Sequence, residues 1–142
     1  LDHKHNNEIT KYSFLDRSPI FCPSVGAFPQ GMAVSLPIHY DWFKKNINGK
    51  EIFDLFNDYY NSDSLISVND LNSKTQLNSQ GFLSPEVLIG TNNIDISIFS
   101  NEKSGQLWLI ARLDNLGKGA SGAAVQNMNI RFGFDENLGV CL

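Results

Sequence analysis

The chain has 142 residues, 42% of them apolar and 18% charged, with 11 glycines, the size and composition of one globular domain with a core of its own; disorder and collagen are excluded. Eleven Lys and Arg against 15 Asp and Glu give a net charge of −4 without a basic block, which argues against nucleic acid as a partner. The longest apolar runs, such as Leu107 to Ala111, are far too short to span a bilayer, which argues against a membrane as a partner.

In chain order, Asn6–Leu15 reads as a short helix capped by Asn6 or Asn7, with Glu8 in its first turn and Pro19 stopping any continuation. Ile20–Val25 reads as a short strand, and Ala27–Gly31 as a loop punctuated by Pro29 and Gly31. Gly31–Tyr40 is a strand with Met32, Val34, Leu36 and Ile38 on one face. The pattern changes over Lys50–Tyr60, where Ile52, Leu55, Phe56 and Tyr59 fall at helical spacing and Asn48 with Glu51 makes a capping box. From Asp63 to Leu83 the signal is weak, with Leu65–Val68 the one strand.

Asn93–Phe99 alternates Ile94, Ile96 and Ile98 with polar residues, and Gly105–Leu113 is apolar on both faces, as a central strand should be. Ser100–Ser104 joins these two as an antiparallel hairpin. Ala120–Phe132 is a helix with Val125, Met128 and Phe132 along one stripe and Gly133 as its C-cap. Together these predict a single α+β domain over residues 1–142, a largely antiparallel or mixed sheet with helices on one face.

Gly117-Lys118-Gly119-Ala120-Ser121-Gly122 has the G-x-G-x-x-G spacing between a strand and a helix. Its context does not suit an independent dinucleotide fold: too few residues follow for a return strand, and no acidic residue on a second strand reaches a ribose. It is not a P-loop either. The helix beyond it has a face of small residues, Ala120, Ala123, Ala124 and Asn127. That face permits either close approach of another backbone or ligand, or tight packing on the chain's own sheet.

His3, His5 and Glu8 are the acid–base candidates. Two imidazoles at i, i+2 point the same way on an extended segment, and Glu8 lies one helical turn beyond His5. Imidazoles beside a carboxylate suit proton transfer near neutral pH. A metal held by these groups with His39 lacks the usual helical spacing, so no metal is expected. The bland alternative is a solvated polar stub.

Cys22 and Cys141 form neither a disulfide framework nor a zinc site; both read as reduced thiols in a cytoplasmic setting. Cys22 has no base beside it to make it a nucleophile. Arg17, Lys50, Arg112 and Lys118 could each meet an anion, and no spacing selects among them. The chain opens without a Met or a signal-peptide pattern, so it reads as a piece of a longer polypeptide.

Asp114-Asn115-Leu116-Gly117-Lys118-Gly119-Ala120-Ser121-Gly122, followed by Ala124-Val125-Gln126-Asn127-Met128-Asn129, resembles the C-terminal signature of the N-acetyl-gamma-glutamyl-phosphate reductase family, relatives of aspartate-semialdehyde dehydrogenase. His3-Lys4-His5 with Glu8-Ile9 resembles that family's His-x-His-x-x-Glu-Ile segment, and Pro23-Ser24-Val25 through Gln30-Gly31-Met32 resembles the stretch after it. The likeness runs in order along nearly the whole chain.

The resemblance implies the substrate and dimerisation domain of an NADP-dependent reductase of arginine biosynthesis that converts N-acetyl-glutamyl phosphate to the semialdehyde and phosphate. There a cysteine attacks the acyl phosphate, phosphate leaves, and hydride from NADPH resolves the thioester. It implies His3 as acid–base residue and His5 and Glu8 as substrate-side groups. Gly119, Ala120, Ser121, Gln126 and Asn127 would meet the cofactor, with helix 120–132 packed on an N-terminal Rossmann domain. It also implies a homo-oligomer formed through exposed sheet surface.

The family's Asn-Pro-Gly-Cys-Tyr type of nucleophile segment is absent here, Cys22 does not match it, and no Rossmann half is present. The chain alone is therefore expected to be inactive. Asn6-Asn7 replaces the usual Pro before the Glu, and Gly117 stands where an apolar residue is usual. A sister reductase of another acyl phosphate, such as an aminoadipyl or aspartyl one, is the alternative among enzymes. A non-catalytic dimerisation or ligand-binding module is the alternative outside them.

Overall fold

The computed structural model describes residues 3–141. Four strands, β1 (Met32–His39), β2 (Ile66–Val68), β3 (Ile94–Asn101) and β4 (Gln106–Leu113), form one mixed sheet in the order β1-β4-β3-β2. The β3–β4 hairpin and the β1–β4 pair are antiparallel, and β2 runs parallel to β3. The strand that is apolar on both faces, β4, lies inside the sheet as expected, and the architecture is α+β.

Register fixes the two faces of the sheet, because residues directly opposite share one. Val34, Ala111 and Ile96 form one row and Leu36, Leu109 and Ile98 the next. Helix α2 (Gly49–Tyr60) packs on this face over β2 and β3. Its capping box is present, with Asn48 Oδ1 accepting from the Glu51 N–H and Glu51 Oε2 from the Asn48 N–H. The core joins Ile52 to Ile96, Ile98 and Leu107, with Phe53, Phe56 and Tyr60 around it.

Leu55 and Tyr59, expected on the buried stripe, are exposed. The helix is rotated so that Phe53 and Tyr60 take the inward places, since two large rings cover more of the sheet than Leu55 would.

The opposite face is polar at one end. Arg112 lies opposite Asp95, and its guanidinium grips that carboxylate through Nε and Nη2. Nη1 donates to the Ser84 carbonyl and Nη2 to Gln76 Oε1, while Asn69 Nδ2 donates to Ser97 Oγ. The stretch from Asn69 to Ser84, weak in periodicity, is thus a polar lid whose amides satisfy a buried ion pair.

Several expectations fail for identifiable reasons. Ile20–Val25 forms no strand: Pro23 removes a donor from its middle, and no sheet edge reaches it to form a ladder. Helix α1 (His5–Tyr12) begins earlier, with Lys4 at its N-cap and no side-chain cap, so Asn6 and Asn7 lie inside it. It ends before Phe14, which adopts a left-handed backbone at φ 53°.

Helix α3 (Gly122–Phe132) follows a π-helical turn over Gly117–Ser121 and ends at Gly133, left-handed at φ 74° as the C-cap reading requires. Its expected stripe is not buried as a unit: Val125 is half-buried, whereas Met128 and Phe132 are exposed and Asn129 is the buried residue. Asn129 Nδ2 donates to the carbonyls of Glu136 and Leu138, tying α3 to the tail. Among the described residues α2 is the helix that packs on the sheet. Among the described residues no helix is long and apolar enough to cross a membrane.

Candidate functional site

The glycine-rich turn is built around Asp114, which is buried at the end of β4. Its Oδ2 accepts from Gln30 Nε2 at 2.6 Å and from the Gly90 N–H at 2.8 Å, and its Oδ1 accepts from the Leu116 N–H at 2.8 Å. Burial pushes this carboxyl up, but the N–H groups of Gly90, Leu116 and Gly117 with the Gln30 amide outweigh it. The net shift is below the usual aspartate range. Asn115 Oδ1 accepts from the Gly31 N–H at 2.7 Å. Gly31 stands at φ 103°, and a Cβ there would meet the Pro85 carbonyl at 2.4 Å. Strand entry, lid and turn are therefore stitched together at one point.

Two of the three motif glycines serve packing. A Cβ on Gly117 would lie 2.7 Å from the Thr91 carbonyl, and one on Gly122 would lie 2.1 Å from Asn92 Oδ1. Asn92 is buried, and this oxygen has no hydrogen-bond partner; it rests against the bare Gly122 backbone. A cleft of about 340 Å³ runs between Gln30, Gly90–Asn92, this turn and Val140–Cys141.

The outward side is open. Gly119, Ala120, Ser121, Ala124 and Asn127 are exposed and Ala123 is half-buried. The chain's own sheet does not fill the small-residue face. Gln126 differs from them: its Oε1 accepts from Lys118 Nζ at 2.5 Å and from Asn92 Nδ2 at 3.3 Å, and its Nε2 donates to Glu136 at 2.9 Å. Its amide is spent within the chain, where it braces Lys118, so a direct reach towards a nicotinamide requires those bonds to break.

At the other end of the sequence, His3 and His5 are brought together, though not on an extended segment: Lys4 between them is helical. Their ring centroids are 4.7 Å apart, and Phe21 stands 5.0 Å from His3 and 6.1 Å from His5. The His5 N–H donates to His3 Nδ1 at 3.2 Å. With Nδ1 accepting, the neutral His3 ring carries its proton on Nε2 and its basic lone pair on Nδ1, so taking up a proton requires the contact with the His5 N–H to break. Glu8 is exposed, and no ion pair among the described residues joins it to either imidazole.

His39 lies apart from this pair, 5.5 Å from the Trp42 ring, and no described group of three His, Cys, Asp or Glu could hold a metal. The other cations resolve differently. Arg112 is buried on Asp95 and so unable to meet a substrate, Lys50 pairs with Asp54 at 2.5 Å, and Arg17 is exposed. Cys22 and Cys141 are free and exposed. The sequence reading missed Asp114, Gln30 and Asn92 as organisers of the turn. A buried hub is recognised by its distant partners, and Gln30 is 84 positions away.

The family model for the semialdehyde dehydrogenase dimerisation domain matches residues 1–115. An N-acetyl-gamma-glutamyl-phosphate reductase from Trichormus variabilis is 40% identical over 138 residues, covering 97% of this chain and 43% of that protein. N-acetyl-gamma-glutamyl-phosphate reductase 2 from Nostoc sp. shows the same identity and coverage. The reductase from Brucella anthropi is 40% identical over 133 residues, 94% of this chain and 42% of its own length. The chain thus spans less than half the length of these relatives. Four strands in the matched stretch, its registered sheet and the match itself place this chain in the semialdehyde dehydrogenase dimerisation-domain family.

Proposed function

We propose that this chain is the substrate and dimerisation part of an NADP-dependent reductase that converts N-acetyl-glutamyl phosphate to the corresponding semialdehyde and phosphate in the cytoplasm. The observation that carries this reading is the bare small-residue face. Ala120, Ala124 and Asn127 are exposed beside Gly119, and no element among the described residues covers them. Three reductases related along nearly the whole chain bear the name of that activity.

When bound, the nicotinamide nucleotide supplies the hydride. In this reading Gly119, Ala120 and Ser121 let it approach the backbone closely, with Asn127 offering an amide one helical step away. Lys118, held by Gln126, supplies positive charge next to the turn, so Gln126 acts through it. His3 is the acid–base group of this reading, and its Nδ1 must leave the His5 N–H for the ring to take up and return a proton. His5 and Glu8 face the substrate side. The nucleophilic cysteine is not one of Cys22 or Cys141. The chain associates with further copies of itself as a homo-oligomer.

The test uses a full-length reductase containing these residues. Ala124→Trp fills the open face and is expected to raise the KM for NADPH about tenfold or more, with the fold intact by circular dichroism. An unchanged KM contradicts the reading. The 142-residue chain by itself is expected to show no turnover with NADPH and the acyl phosphate, and measurable turnover would place the nucleophile within it.

A further inference from the structure

Among the described residues Arg112 is buried in its ion pair, Lys118 is half-buried, and every other Lys and Arg is exposed. The ion pairs of these residues are Lys50 with Asp54 and Arg112 with Asp95. Lys118 is thus the cation that the fold draws inward without a carboxylate against it. It stands in the π-helical turn Gly117–Ser121, directly before α3, and such turns are rare and collect at functional sites. Taking an ammonium partly out of water costs free energy that an arriving anion offsets.

The ammonium is held in place. Its Nζ donates to Gln126 Oε1 at 2.5 Å. An amide can face either way, and Glu136 decides which. Gln126 Nε2 donates to Glu136 Oε2 at 2.9 Å, which turns the amide oxygen towards Lys118 and towards Asn92 Nδ2. Reversed, the amide would set its oxygen against the carboxylate and its NH2 against the ammonium. Glu136 is tied down in turn: its Oε1 accepts from Ser64 Oγ at 3.3 Å and its carbonyl from Asn129 Nδ2 at 3.3 Å. The tail beyond α3 therefore fixes a lysine at the head of that helix.

We propose that Lys118 receives a phosphate group of a ligand at this turn, and that Glu136 positions it there through Gln126. One donor of the ammonium is spent on Gln126, and the others are left for phosphate oxygens. The dipole of α3, whose N-terminal end follows the turn at once, also favours an anion here. The inference rests on the reductase reading, in which both ligands carry phosphate: the nucleotide along its backbone and the acyl phosphate in its leaving group.

The test is isothermal titration calorimetry on a full-length reductase containing these residues, with NADPH and with inorganic phosphate separately, each at low and high salt. Circular dichroism confirms folding. Lys118→Met is expected to weaken at least one of the two about tenfold. It should also make that affinity less sensitive to salt, since a charge facing the ligand has been lost. Loss with NADPH alone assigns the nucleotide's phosphate, and loss with inorganic phosphate assigns the leaving group. Glu136→Gln is expected to weaken the same ligand about threefold or more with its salt dependence kept, because the ammonium remains but is no longer held. Lys50→Met, on the exposed face of α2, should change neither. If Lys118→Met does not fold, Lys118→Gln decides. Wild type that binds neither ligand overturns the reductase reading and this inference together. A Lys118→Met protein that binds both as wild type does, or loses affinity with its salt dependence unchanged, overturns the inference alone. An unaffected Glu136→Gln overturns the positioning by Glu136.

Discussion

Gly122 separates two explanations of one motif. As a helix residue it should welcome a methyl group, with Gly→Ala gaining up to about 1 kcal/mol. In this fold the new Cβ would lie 2.1 Å from Asn92 Oδ1, an atom that is buried and has nowhere to swing. Gly122→Ala is therefore expected to lose about 1–3 kcal/mol in urea unfolding. Gly119→Ala, whose Cβ would meet nothing closer than 3.3 Å, should be far milder. Equal effects at the two positions would contradict the packing account. The spacing of these glycines was plain in the sequence, but the reason for them was not, because Asn92 belongs to a loop 30 positions earlier.

Asp114 is legible in the same partial way. It opens the stretch that resembles the reductase signature, yet nothing local says that four donors converge on it. Its folded pKa lies below the ordinary value of 3.8, so its contribution to stability is present above that value and fades as pH falls through the lower, folded one. Asp114→Asn should be less stable than wild type at neutral pH, and the gap should close on acidification when unfolding midpoints are compared. A gap independent of pH would mean the charge does not matter.

At the scale of elements, α2, the hairpin and the place of β4 follow from periodicity and caps, because each depends on neighbours within a few residues. The misreadings share a cause. Ile20–Val25 has strand composition but no partner, and α3 has an apolar stripe that no sheet covers. Burial is decided by what lies opposite, which local pattern does not record.

The Asn69–Ser84 lid is the clearest case. Its residues look featureless until Arg112 and Asp95 are seen beneath them. Removing only the cation, in Arg112→Met, leaves Asp95 buried and charged and should cost about 3–5 kcal/mol. Pairing that change with Asp95→Leu should recover much of the loss. A double variant as unstable as the single would show that the lid, not the charge, sets the penalty.

At the scale of the whole molecule, large apolar side chains are exposed in several places, Val34 and Leu36 on β1 and Leu55 and Tyr59 on α2 among them. Two more lie towards the ends of the chain, the N-terminal stretch with Phe14, Ile20 and Val25 and α3 and its tail with Phe132, Phe134 and Leu138. Contiguous exposed apolar surface marks contact with other bodies. Under the proposed reading the two terminal regions meet the nucleotide-holding part of a longer enzyme.

The family was legible because its signature residues are contiguous. The cross-strand rows of the sheet were not, since they come from three strands whose register no local pattern reveals. The reductase reading depends most on His3, whose ring stands against His5 and Phe21 and accepts the His5 N–H at Nδ1. In a full-length enzyme containing these residues, His3→Ala should lower turnover of N-acetyl-glutamyl phosphate by about 10²- to 10⁴-fold with folding unchanged. A fall of less than about threefold, too small for a lost acid–base group, would contradict the reductase reading.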